Sequence, residues 1–254
     1  MSKIYKALAR AEAEREAKPS EPTGRRASGG ILIPEPVLAE ERHVDVPERR
    51  EEYEKLKVML TLEAARSELK SVMLVSALAG EGVSTVTLGL ASALADVSRQ
   101  GVLLVDLNAA NPVLADRLDL DPEFGLGELL AKDATPADAV VESPISRLFL
   151  LGRGHAKADL SQPSSLALFE ELVRTLRTDF DHVLIDGGAL SDSSDSLLVA
   201  SKVDGIILVV QAERTGSDAV REASNQLRLA GANLLGVVLN RRREYLPGFL
   251  ARKL

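Results

Sequence analysis

The stretch "VSALAGEGVSTVTLGLASALA", Val75 to Ala95, decides the fold. An apolar strand runs into a turn of small residues, then Gly80-Glu81-Gly82, then Ser84-Thr85, then a helix. This is the cadence of a phosphate-binding loop. Its glycines let backbone N–H groups turn toward phosphate oxygens, and the following helix adds its positive end. Ser84 stands where a hydroxyl would hold Mg²⁺. The lysine expected between the second glycine and the serine is absent, and Val83 occupies its place.

Outward from this loop the chain alternates. "SVMLVSA", "GVLLVDL", "LFLLG", "HVLIDGG", "GIILVVQAE" and "LLGVVLN" are short continuous apolar runs, as expected of strands buried on both faces. Helical stretches begin near Ser84, Ser164, Leu197 and Ser217. The alternation predicts an α/β fold: a doubly wound, mostly parallel sheet of P-loop NTPase type with helices on both faces. Ligands in such sheets bind at the carboxyl ends of the strands. Two further strand ends carry carboxylates, Asp106 in "DLNAANP" and Asp186 in "LIDGG". A phosphate loop flanked by such aspartates is what a nucleotide–metal site requires. Ser84, Asp106 and Asp186 are the candidate Mg²⁺ ligands.

Composition bounds the function. The chain has 254 residues, a net charge of -7 and no cysteine. The acidic balance argues against general nucleic-acid binding, and the lack of thiols excludes disulfides and thiolate metal sites. No apolar run approaches the roughly 18–20 residues that span a bilayer, and charges interrupt the N-terminus where a signal peptide would be apolar. The expectation is a cytoplasmic protein that reaches the inner face of the plasma membrane through a partner. Residues 1–18, "MSKIYKALARAEAEREAK", read as an amphipathic helix. Residues 19–49 read as a Pro-, Ser- and Gly-containing linker, disordered or draped on the domain. Residues 50–254 form the α/β domain. His43, His155 and His182 are scattered and suggest no metal site, Asp204 reads as a residue ordering a turn before a strand, and Arg241 to Glu244 form a basic cluster on a solvated face.

These motifs resemble the cytoplasmic domain of bacterial tyrosine kinases (BY-kinases), which act with polysaccharide co-polymerases in capsule and exopolysaccharide synthesis. The resemblance covers roughly residues 50 to 242, plus the N-terminus. "AGEGVST" is similar to the family's Walker A loop, "LLVDLNAANP" to its Walker A′ motif and "LIDGGAL" to its Walker B segment. "MSKIYKALARAEAE" is similar to the N-terminus of stand-alone kinases linked to chain-length determinant proteins. "EEYEKLKVML" resembles the helix that packs subunits into a ring. The resemblance implies Gly80, Glu81, Gly82, Val83, Ser84, Thr85 and Asn240 as nucleotide-binding positions, with Asn240 near adenine, and Asp106 and Asp186 as the catalytic carboxylates.

The departures fall at working positions. Val83 replaces the lysine, Asn108 the second Walker A′ aspartate, Ala110 the arginine after it, and Gly187 and Gly188 two prolines. Glu54 stands where the ring helix would carry its first arginine, three residues after the acidic Glu51. In place of a terminal tyrosine cluster the chain has only Tyr5, Tyr53 and Tyr245. The sequence therefore predicts a kinase-like regulator, catalytically impaired, with vestigial carboxylates. Mg-ATP or Mg-ADP would bind weakly or not at all. The expected partner is a membrane polysaccharide co-polymerase or chain-length determinant protein, with a homo-oligomeric ring disfavoured. Two alternatives stand: an active tyrosine kinase or ATPase that recruits a displaced cation such as Arg153 or Lys157, and a partition or septum-positioning ATPase. The second usually has an additional lysine early in the loop, which Ala77 to Ala79 do not provide.

Overall fold

The computed structural model describes residues 50–242 apart from Ala158, together with the backbone of residues 24–26 and 32–34. The N-terminal helix expected over 1–18, most of the 19–49 linker, and the tail with Tyr245 lie outside the described residues. Within 19–49, β1 (Gly24–Arg26) and β2 (Leu32–Pro34) pair antiparallel, and β2 runs beside the domain near residues 136–142.

The domain opens with α1 (Arg50–Ser67), which carries Glu51 and Glu52 in its first turn and Arg66 in its last, each favourably placed on the helix dipole. There follow β3 (Ser71–Ser76), α2 (Val83–Ala95), β4 (Val102–Asp106), three short helices α3 (Leu114–Arg117), α4 (Leu126–Ala131) and α5 (Pro136–Ala139), then β5 (Val140–Glu142) and β6 (Leu148–Leu151). The chain continues through α6 (Pro163–Asp179), β7 (His182–Ala189), α7 (Asp195–Val199), β8 (Gly205–Gln211), α8 (Ser217–Leu229) and β9 (Leu234–Asn240). Seven strands form one sheet in the order β5-β6-β4-β7-β3-β8-β9. Every neighbouring pair is parallel except β5 with β6. The doubly wound, mostly parallel sheet is thus as the apolar runs predict. The antiparallel edge strand "VVE" and the short helices of residues 114–139 were not predicted.

Side-chain alternation builds a core on each face. Val72, Leu74, Val102 and Leu104 point to the cluster that holds Tyr53, Leu60, Leu88 and Leu90 of α1 and α2. Met73, Val75, Leu103 and Val105 point to the opposite cluster, with Phe169, Leu176 and Leu227 of α6 and α8. The α1–α2 contact is close. A Cβ placed on Gly89 would lie 2.4 Å from the Tyr53 ring, so only glycine lets that ring seat on α2. Asp204 orders the turn before β8, as predicted. Its carboxylate accepts hydrogen bonds from the Lys70 and Ser71 amides at 3.0 and 2.8 Å and pairs with Arg177 at 2.9 Å.

Candidate functional site

Parallel β3, β4 and β7 are neighbours, so their carboxyl ends bring together the three segments that the sequence singles out. Gly80 and Gly82 have φ of +77° and +92°, left-handed values that favour glycine. At Gly82 the requirement is also steric, since a Cβ would meet Asn240 Nδ2 at 2.3 Å. Helix α2 starts at Val83 directly after this turn, and its first N–H groups have no intrahelical acceptor. Such a helix end is chemically suited to an anion.

Glu81 does not face this cradle. Its side chain is buried and turns back beneath the loop. One carboxylate oxygen accepts the Leu78 amide at 2.8 Å. The other accepts the Gln211 amide at 3.0 Å and the Thr215 hydroxyl. Glu81 therefore ties the loop to the end of β8. Asn240, at the end of β9, donates its side-chain amide to the Glu81 carbonyl at 2.8 Å. Arg241 donates to the Gly80 carbonyl at 3.0 Å and to Gln211 Oε1 at 3.3 Å. Arg241, the first residue of the predicted basic cluster, is exposed as expected and also clasps the loop.

Val83 is 5% exposed and packs in the apolar cluster with Val86, Leu114 and Leu118. The residue at the lysine position is part of the core.

Asp106 and Asp186 stand side by side in parallel register and are both buried. Asp106 accepts the Asn108 amide at 3.1 Å and the Leu114 amide at 3.3 Å. Burial, then the adjacent Asp186 charge, pushes its carboxyl up to about 7 against those hydrogen bonds. Asp186 accepts the Gly188 amide at 3.0 Å through Oδ1. Burial raises its carboxyl too, opposed by the Ser84 hydroxyl, the Gly188 amide and the Arg117 charge. The Ser84 hydroxyl is thus near, yet no hydrogen bond of ordinary geometry reaches the buried Oδ2. A buried carboxylate oxygen without a donor, beside a second carboxylate and a hydroxyl, fits a hard divalent cation that takes oxygen ligands. Ser84, Asp106 and Asp186 are the residues that would hold it.

Asn108, in the second Walker A′ position, is spent on local structure. Its Oδ1 accepts the Asn111 amide at 3.2 Å, and its side chain lies over Gly188, where a Cβ would come within 2.7 Å of it. Gly188 also has φ of +66°, which a proline cannot adopt. The two departures from the family pattern therefore fit each other.

Of the two cations offered by sequence, Lys157 is exposed. Arg153 lies in the loop after β6, whose backbone is held to α4. No hydrogen bond or ion pair links either to the phosphate loop among the described residues. Besides Arg241, a second cation reaches the loop: Arg117 of α3 donates from Nη1 to Thr85 Oγ1 at 2.9 Å. Sequence reasoning missed it. Its only signal is a basic residue in the short segment after the Walker A′ strand. His155 and His182 lie apart, and no group of three or more acidic or histidine side chains suited to a metal occurs among the described residues.

No protein-family model matches the chain. Tyrosine-protein kinase CpsD of Streptococcus agalactiae is 27% identical over 185 residues, 72% of this chain and 80% of CpsD. The succinoglycan biosynthesis transport protein ExoP of Rhizobium meliloti is 31% identical over 180 residues, 70% of this chain but 23% of ExoP. The crystal structure of the VpsO kinase domain superposes with a TM-score of 0.67 at 31% identity, covering 77% of this chain and 97% of that domain. With the glycine loop, the paired aspartates and the strand order that presents them, these likenesses establish that the chain belongs to the P-loop BY-kinase family of capsule and exopolysaccharide biosynthesis.

Proposed function

We propose that the chain is a kinase-like regulator of exopolysaccharide or capsule assembly that binds Mg-ADP or Mg-ATP weakly and does not phosphorylate tyrosine. The observation that carries this reading is the contrast at the start of α2. The glycine turn, Ser84 and the orphaned oxygen of Asp186 keep a place for phosphate and metal, while Val83 is packed into the core where the lysine belongs. Backbone N–H groups and a helix end bind phosphate without a side chain. Transition-state charge needs more. Losing one such contact typically lowers the rate by about 10²–10³-fold. Ala110 and Asn108 remove two further groups from the same region, though coupled losses do not simply multiply. Ser84, Asp106 and Asp186 would hold a Mg²⁺ ion, whose charge would let both aspartates ionise together and offset phosphate charge.

The partner in this reading is a membrane polysaccharide co-polymerase. The likeness to ExoP, named as a transport protein of succinoglycan biosynthesis, supports it in kind. Among the described residues no helix is long and apolar enough to cross a membrane; in this reading the partner supplies the membrane contact. Membership of the kinase family removes the ground for the partition-ATPase alternative. The test is calorimetric titration of the purified chain with Mg-ATP and Mg-ADP, alongside a phosphotyrosine assay. Weak, Mg²⁺-dependent binding with no phosphotyrosine is expected. Robust phosphotyrosine would overturn the reading.

A further inference from the structure

We propose that Arg117 supplies the phosphate-directed positive charge that Val83 and Ala110 do not, so that a nucleoside di- or triphosphate in this site is gripped by a guanidinium entering from α3. The inference rests on the nucleotide reading of the site and names the residue that would make it work.

Helix α3 is fixed from three sides. Leu114 and Leu118 are fully buried in the cluster that also contains Val83, and the Leu114 amide donates to Asp106. Arg117 lies between these anchors, half-buried, with Nη1 on the Thr85 hydroxyl at 2.9 Å. Thr85 follows Ser84 in the first turn of α2, so the guanidinium stands at the open end of the phosphate cradle. That bond uses one of five N–H donors. Among the described residues the Arg117 side chain makes no other hydrogen bond and no ion pair. Its charge is nevertheless felt at Asp186, where it opposes the rise caused by burial.

A neutral hydroxyl does not require an arginine, and Asp186, whose carboxyl feels this charge without forming an ion pair with it, leaves most of the guanidinium donors uncommitted. The Thr85 hydroxyl that Arg117 holds lies one residue from Ser84 in the cradle. Among the described residues neither Arg153 nor Lys157 bonds to the phosphate loop, although Arg153 Nη1 is buried without a partner. Arg241 donates to the Gly80 and Gln211 oxygens, Arg153 sits in the loop after β6, and Lys157 is exposed. A guanidinium presents a planar fork matched to phosphate oxygens. Arriving from α3 rather than from the loop, it would meet the phosphates from the side on which Ala110 has lost its own guanidinium.

The experiment is calorimetry of the full chain with Mg-ADP, Mg-ATP and adenosine, on wild type, Arg117→Gln, Arg117→Met, Arg117→Lys and the double variant Val83→Lys/Arg117→Gln. Thermal unfolding without nucleotide checks each fold. The glutamine keeps a donor for Thr85, and the methionine keeps an apolar stem if the glutamine variant does not fold. Both are expected to weaken Mg-ADP binding by about tenfold or more, the size of one charge-assisted hydrogen bond, and to leave adenosine unchanged. Lysine at 117 is expected to retain most of the affinity, and the double variant to regain it. A purely structural role would move adenosine and Mg-ADP alike. If wild type binds Mg-ADP and the folded glutamine or methionine variant binds it equally well, Arg117 is not the phosphate cation, while the nucleotide reading stands. If wild type binds nothing but the double variant does, the cradle stands and the Arg117 proposal falls. If neither binds, both readings fall.

Discussion

At the scale of single residues, the buried carboxylate pair offers the sharpest expectation. Asp106 titrates near 7 in the folded chain, against about 3.9 when unfolded. Between those values the folded state keeps a proton that the unfolded chain has released. The Asp106 contribution to stability is therefore complete at low pH, falls as pH rises through this window and is constant above it. Asp106→Asn stays neutral throughout. Its stability relative to wild type should rise from about pH 4 to about pH 7, reaching about 1–3 kcal/mol once relaxation and coupling to Asp186 are allowed for. Mg²⁺ should stabilise wild type at high pH and leave the variant unmoved. Thermal unfolding across pH measures both effects, and a difference that stays flat with pH would refute the assignment. Val83→Lys is the complementary change. The valine is 5% exposed, so the lysine stem has an apolar bed and the ammonium must emerge toward the cradle. Mg-ATP affinity should rise by about 1–3 kcal/mol, with no phosphotyrosine, because Ala110 and Asn108 remain. Unchanged affinity in a titration would mean that the loop has lost its phosphate geometry.

At the scale of elements, the phosphate loop is held from below, and Glu81 is the strut. It satisfies the Leu78 and Gln211 amides and the Thr215 hydroxyl. Removing it leaves buried donors without acceptors and separates the loop from β8. Glu81→Ala should destabilise the fold by about 2–4 kcal/mol in urea denaturation. A loss below about 0.5 kcal/mol, usual for a surface change, would show that water replaces the carboxylate freely. This strut marks where sequence reading ends. The parallel strands were legible because continuous apolar runs of four to eight residues have few other homes. The pairing of Asp106 with Asp186 was legible because strand-end position survives folding. Burial of a loop glutamate was not, since a charged residue between two glycines ordinarily faces solvent. Nor was Arg117. It lies 32 residues from Thr85, on a helix of four residues, too short to show a period. The edge strand β5 has three residues and escaped for the same reason.

At the scale of the whole molecule, the question is what α1 meets. Glu54, in the arginine position of the family's ring helix, pairs with Lys57 of its own helix at 2.5 Å, so neither charge is wholly free to serve a neighbour. Glu51 lies exposed one turn earlier. Lys57 keeps the second basic position of that helix, but Glu54 sets a like charge one turn from Glu51, and we expect this to disfavour a ring. Yet Val58, Met59 and Leu62 of α1 are 52%, 69% and 63% exposed, and Met59 continues into a groove with Leu234, Leu235 and Val237 of the edge strand β9. Apolar surface of this kind seeks cover. A groove with an apolar floor and the carboxylate of Glu63 in its lining suits a partner bearing basic and apolar residues. The lone chain is therefore expected to be monomeric in light scattering at about micromolar concentration, well above the Kd of tight interfaces. Met59→Ser with Leu62→Ser should leave that mass unchanged while weakening binding to the cytoplasmic segment of a co-polymerase. A stable symmetrical ring from wild type alone, lost in the double serine variant, would show instead that apolar burial on α1 outweighs the charge arrangement and that the helix has kept its ancestral contact.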